Sequence, residues 1–199
     1  MKIDRWHKCP KRRFRSKYKF RPLIKYIPSR YMNLADWQIK NRELVLDFKN
    51  GCITDEHKEL ILNAIKRIIK EGDPHEWVVC FVPASTGERH FERYNEIAMC
   101  IETTIGCTAN PMLIMREYNQ EPIHRVGVKE QMDDIKLDSQ FDYRKHFIVM
   151  DDLITTGLSF RTVGDLLTER GALSVQGVIF GMTIHPNLPT KRCRKKKVH

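Results

Sequence analysis

His146-Phe147-Ile148-Val149-Met150-Asp151-Asp152-Leu153-Ile154-Thr155-Thr156-Gly157-Leu158-Ser159 joins an apolar run to two adjacent carboxylates, a Thr-Thr-Gly turn and the start of a helical pattern. A continuous apolar run such as Phe147 to Met150 suits a strand covered on both faces, as in a parallel sheet flanked by helices. Beyond it, small residues let backbone N–H groups converge on an anion. The hydroxyls of Thr155, Thr156 and Ser159 add donors, and the next helix brings its positive end. Asp151 and Asp152 would repel a bare phosphate, so they suit sugar hydroxyls beside it or water around a hard divalent cation. A phosphorylated sugar satisfies both halves. The same stretch would also serve as a buried strand whose threonines merely cap a helix.

Strands and helices alternate around this joint. A helix is expected from Asp55 to Lys70: Thr54 caps it, Asp55, Glu56 and Glu59 open it, Lys66, Arg67 and Lys70 close it, and Gly72 follows. Trp77 to Val82 is a second continuous apolar run. Phe91, Tyr94, Ile97, Ala98, Ile101 and Ile105 recur at helical spacing, and Pro111 to Met115 reads as a short strand. Phe160, Val163, Leu166 and Leu167 continue as a helix ended by Gly171, and Val175 to Ile184 reads as a last strand. Earlier, a helix from about Leu34 fits, capped by Asn33 and stopped by Asn50-Gly51, with Trp37, Leu44, Val45 and Phe48 near one face. Residues 44–48 would alternatively make a short strand. Strands separated by helices imply an α/β fold, a doubly wound, mostly parallel sheet with helices on both faces, and ligands beyond the carboxyl ends of the strands.

With 199 residues the chain has room for one well-buried α/β core plus extensions. No apolar run approaches the roughly 18 residues of a membrane span, and the start lacks the apolar core of a secretory signal, so a cytoplasmic protein without a membrane role is expected. Six cysteines contain no Cys-x-x-Cys pair, which argues against a zinc ribbon or a disulfide framework. The net charge of +10 is concentrated at the ends: residues 1–21 hold ten Lys or Arg against Asp4 alone, and residues 191–199 hold six against no acid. The middle of the chain is therefore acidic. Such tails suit weak, salt-sensitive contact with nucleic acid, or simply solvated ends. The expected organisation is a basic arm (1–21), a lead-in or hood segment (22–53), a core (54–185) and a basic tail (186–199).

The loop at 147–159 resembles the phosphoribosyl-pyrophosphate signature of the type I phosphoribosyltransferases, in which four apolar residues precede two acids, two apolar residues and Thr-Thr-Gly. The resemblance implies that fold, with an N-terminal hood. It also implies Asp151 and Asp152 as the catalytic acids on the ribose hydroxyls, and Thr155, Thr156, Gly157, Leu158 and Ser159 around the 5-phosphate. Leu158 stands where the family usually has a smaller residue. By the same resemblance, Ala84, Ser85, Thr86 and Gly87 occupy the place of the pyrophosphate loop. Arg93-Tyr94-Asn95, Arg116 and Arg125 look like positions of the ComF-like branch, related to a competence factor, whose N-terminal zinc ribbon has no counterpart here. Arg89, Arg93, Arg116 and Arg125 are then candidate charges for the leaving group, and the polar segment from Tyr118 to Asp138 a candidate lid.

The implied activity is transfer of a phosphoribosyl group from its pyrophosphate to, or from, a nitrogen acceptor. Mg²⁺ would be held mainly through substrate and water, with no direct protein ligand. The partners would be the sugar pyrophosphate and an unidentified acceptor, and an oligomer is compatible with the sequence. The alternative is a non-catalytic regulator or nucleic-acid-handling accessory protein on the same fold. A Walker-type hydrolase is disfavoured, since no Gly-Lys-Ser or Gly-Lys-Thr occurs. His90 and His146 lie near the loops but fall at no recognised metal-ligand spacing.

Overall fold

The computed structural model describes residues 17–70, 72–116 and 135–186. In chain order its elements are β1 (Lys19–Tyr26), α1 (Asp36–Lys49), α2 (Asp55–Ile69), β2 (Trp77–Phe81), α3 (Gly87–Ile105), β3 (Thr108–Asn110), β4 (Ile114–Arg116), β5 (Ile135–Leu137), β6 (His146–Ile154), α4 (Leu158–Glu169) and β7 (Ser174–Thr183). Five strands form one sheet in the order β1-β7-β6-β2-β3, and every neighbouring pair is parallel. A separate antiparallel ribbon pairs β4 with β5, from Ile114 opposite Leu137 to Arg116 opposite Ile135.

The apolar runs become central strands because both faces need cover. All five residues of β2 are buried. Trp77, Val79 and Phe81, with Ile148, Met150, Val178 and Phe180, pack against Val45 and Phe48 of α1, Ile61 and Ile65 of α2, and Tyr94, Ile97 and Ile101 of α3. The alternate residues Val78, Cys80, Phe147, Val149 and Ile179 pack against Phe160, Val163 and Leu167 of α4, with Ile114 and Ile135 of the ribbon. The chain is thus α/β, a parallel five-stranded sheet with three helices on one face and α4 on the other. Among the described residues no helix is long and apolar enough to cross a membrane.

Several boundaries differ from the sequence expectation. Residues 19–26, expected as the end of a basic arm and the start of a hood, form the edge strand β1, parallel to β7. Its Lys19, Arg21, Pro22 and Lys25 are the residues that natural edge strands use to discourage further pairing, and they disguise it as a tail. The third core strand is Thr108–Asn110, ahead of Pro111, and Ile114–Arg116 belongs to the ribbon. Residues 44–48 are helical. α1 begins after Ala35, whose N–H donates to the Gln38 side chain (3.0 Å), so Asn33 does not cap it. Trp37 and Phe91 are exposed, at 56% and 57%, and take no part in the core. α2 matches its expected start, Thr54, whose N–H donates to Nδ1 of buried His57 (2.9 Å).

Gly177 of β7 is a tight point between the edge strand and α4. A Cβ there would fall 2.6 Å from the Phe160 ring and 2.7 Å from Cβ of Phe20, so its bare backbone is the socket in which the two aromatics meet. Their ring centroids are 5.8 Å apart in an edge arrangement. Gly177→Val should therefore destabilise the fold by at least about 1–3 kcal/mol through overpacking. Chemical denaturation would detect it as a lowered midpoint with an unchanged slope.

Candidate functional site

The order of the sheet reverses between β2 and β6. From β2 the chain moves outward to β3, then returns to β6 on the other side of β2 and continues to β7. The loops leaving the carboxyl ends of these two neighbouring strands consequently diverge, one into α3 and one into α4, on opposite faces of the sheet. Such a switch point opens a crevice with two helix N-termini beside it, the place where parallel sheets accept anionic ligands.

Asp151 and Asp152 lie within β6, which runs on to Ile154, so the acids are strand residues and not part of the turn. They are 7% and 9% exposed. Side-chain alternation slips across the pair: Ile148 and Met150 face α1–α3, and beyond the acids Leu153 also packs there while Ile154 faces α4. Gly181, opposite Leu153, permits this, since a Cβ there would fall 2.8 Å from Val45 of α1.

Oδ2 of Asp152 is 2.6 Å from the Arg93 guanidinium, both side chains being largely buried. Nε of Arg93 donates to the Lys49 carbonyl at the end of α1 (2.9 Å). Oδ1 of Asp151 accepts the N–H of Asp152 (2.9 Å). Burial, followed by the neighbouring Asp152 carboxylate, pushes the Asp151 carboxyl well above the usual carboxylate range. The guanidinium contact is thus made by Asp152, while Asp151 is the member of the pair whose charged form burial disfavours. Against Arg93 lies Tyr94, fully buried, its ring 4.7 Å from Phe81 and 5.0 Å from His90. The Tyr94 hydroxyl makes no well-formed hydrogen bond, and the polar group that acts on it at close range is the Arg93 guanidinium. Burial and both carboxylates raise its pKa well above the ordinary phenol value, so it remains a proton donor.

The turn after the acids has the geometry of an open helix start. Gly157 takes a left-handed φ of 70°, and no side chain caps α4. Thr155 and Thr156 are exposed, while Leu158 and Ser159 are half-buried. The Thr155 and Thr183 hydroxyls are 3.1 Å apart, which ties the turn to the end of β7.

The loop after β2 is more committed to its own structure. Thr86 caps α3 by accepting the Arg89 N–H (3.3 Å), and the Ala84 N–H is directed inward to Nδ1 of His90 (3.3 Å). Ser85 is exposed and Gly87 half-buried. Because an amide can only donate, Nδ1 of His90 accepts, and Nε2 donates to the Pro111 carbonyl (2.7 Å). Buried His90 is therefore neutral and fastens the loop after β2 to the loop after β3. Its neighbour in the sequence reading, His146, bonds Ser174 (2.8 Å) at the opposite end of β6 from the acids.

Of the four candidate arginines, Arg93 is bound to Asp152, Arg89 is exposed on the first turn of α3, Arg116 is half-buried at the end of β4, and Arg125 lies outside the described residues. The candidate lid also falls largely outside them, as do residues 1–16 and 187–199 of the basic ends. The sequence reading missed Tyr94, which its spacing marked only as core, and a rim cluster in which the Arg30 guanidinium donates to Nδ1 of His185 (3.1 Å) beside Tyr31. Among the described residues no three His, Cys, Asp or Glu side chains converge on a metal-sized point.

A scan against protein-family models and a search of curated proteins both return no match to this chain.

His90 makes a specific pH prediction. Burial lowers its pKa below the ordinary histidine value of 6.5. The unfolded chain then binds the proton more readily, so this contribution to stability is complete above about pH 6.5 and is lost as pH falls through the folded pKa. His90→Gln should flatten the fall in melting temperature between about pH 7 and pH 5 relative to the parent. Parallel slopes would remove His90 from that role.

Proposed function

We propose that this chain is a phosphoribosyltransferase-like protein, on the type I fold, that binds 5-phosphoribosyl 1-pyrophosphate with Mg²⁺ and exchanges pyrophosphate against a nitrogen acceptor. The observation that carries this reading is the joint of β6 and α4. There a buried acid pair, two exposed threonines and an uncapped helix start follow one another at the switch point of a parallel sheet. Thr155, Thr156, the Gly157 turn and Ser159 suit a terminal phosphate, and the acids, one step inward, suit the hydroxyls of the attached sugar.

In such a transfer, bond breaking at the anomeric carbon runs ahead of bond making, so the protein needs no nucleophile. Asp151 and Asp152 hold the ring, and the amides at the start of α4 anchor the phosphate. Arg89 and Arg116, with the loop at Ser85, are the groups nearest in type to a growing negative charge on the leaving group. Mg²⁺, carried in by the polyanionic substrate, would supply further charge neutralisation. Because Ala84 already bonds His90, the weight of that loop falls on Ser85 and Gly87.

A ligand-sensing role without turnover is favoured by one feature: Asp152 is already committed to Arg93, and both acids are under a tenth exposed. Contact of the basic ends with nucleic acid belongs to this second reading.

Titration calorimetry with phosphoribosyl pyrophosphate and Mg²⁺, followed by an acceptor screen reading pyrophosphate release, separates the two. An enzyme releases pyrophosphate with some acceptor, and Asp151→Asn lowers that rate by about 10²–10³-fold. Thr156→Val should weaken binding about tenfold or more, the worth of a hydrogen bond to a charged group. Binding with no release from any acceptor points to the sensor, and the absence of binding heat would sink both.

A further inference from the structure

We propose that Arg93 is a positioning residue that clamps Asp152 to α3 and to the end of α1, fixing which member of the acid pair is left to meet a ligand. The part of this proposal that concerns a ligand rests on the sugar-phosphate reading of the site. The clamp itself rests only on geometry.

Three elements meet at this guanidinium. It lies on α3, bonds Asp152 of β6 at 2.6 Å and donates to the Lys49 carbonyl of α1 at 2.9 Å. The turn just beyond α1 also comes close to α3, where a Cβ on Gly51 would fall 3.2 Å from the Glu92 carbonyl. Among the described residues no second Lys or Arg pairs with either acid. Arg93 therefore breaks the symmetry of two chemically identical neighbours: Asp152 has Oδ2 in contact with a cation, while Oδ1 of Asp151 takes the N–H of Asp152. A guanidinium with two directed bonds gives this pair an orientation that a single ammonium would hold less well.

Tyr94 is the second observation. Its completely buried hydroxyl lies against the Arg93 guanidinium without a well-formed hydrogen bond, an arrangement that native proteins rarely keep without a use. The ring lies 5.6 Å from the Arg93 guanidinium and is held by Phe81, His90 and, at 6.2 Å, Phe48. It stands as a spare donor for a carboxylate or a ligand hydroxyl once the pair is engaged. The titratable or charged groups that act on Asp152 are Asp151 on its own strand and Arg93 and Tyr94 on α3, with His90 a step further off against the Tyr94 ring. From α1 the contact is the Lys49 carbonyl.

The test uses the full chain labelled with ¹³C at aspartate carboxyls, without ligand and then with phosphoribosyl pyrophosphate and Mg²⁺. In the parent, Asp151 should protonate above the usual carboxylate range. Arg93→Gln should raise the Asp151 midpoint further and shift the Asp152 carboxyl resonance, with Arg93→Lys in between. Should Arg93→Gln fail to fold, Arg93→Lys and Tyr94→Phe carry the same comparison. Arg93→Lys must still shift the Asp152 carboxyl resonance, and Tyr94→Phe must leave it in place while weakening ligand binding by about tenfold. An Asp152 resonance indifferent to Arg93 overturns the clamp. A parent that shows the clamp but binds no phosphoribosyl pyrophosphate refutes the proposed function and leaves the clamp standing. If the parent binds the sugar pyrophosphate and Arg93→Gln binds it equally well with the same pH profile, the positioning role is overturned.

Discussion

The lateral pairing of β2 with β6, residue for residue from Trp77 opposite His146 to Phe81 opposite Met150, is the contact on which the rest of the molecule depends. Both strands are apolar on both faces, so neither is stable unless helices cover them from each side. That demand sends the chain from β2 into α3 on one face and from β6 into α4 on the other. The divergence, in turn, opens a crevice above the strand ends. The crevice at this edge is therefore a by-product of burying two hydrophobic strands next to each other.

Polar chemistry at that rim is sustained by burial as much as opposed by it. Two carboxylates on one strand are expensive so far from water, and the cost is offset by a single guanidinium and a backbone amide. The arrangement is asymmetric because the chain supplies one arginine for two acids. His90 contributes differently: as a neutral ring accepting at one nitrogen and donating at the other, it sets the loop after β2 against the loop after β3 without adding charge near the acids.

Elements with one strong physical signal were legible in the sequence. The run from Trp77, the stripe of α2 with its acidic start and basic end, and the apolar approach to Asp151 all yield the right element in the right place. Elements whose character depends on a distant neighbour were not. Residues 19–26 look like a charged tail until β7 is there to pair with them, and Thr108–Asn110 is too short to carry a period of its own. At the site, the order of acids, threonines and glycine could be read locally. The partnership of Arg93 with Asp152 joins residues far apart in the sequence and has no local pattern. Tyr94 was visible only as an apolar spacing, since spacing reports the ring and says nothing about the hydroxyl.

The position of β1 carries a consequence for how the molecule is made. This strand is the first described element, and its only partner in the sheet, β7, is the last. During synthesis from the amino end it must wait for its sheet partner until β7 has emerged, and closure between distant segments is slow. Proline and cations along that strand make the delay tolerable, for they discourage it from annealing to a neighbouring nascent chain.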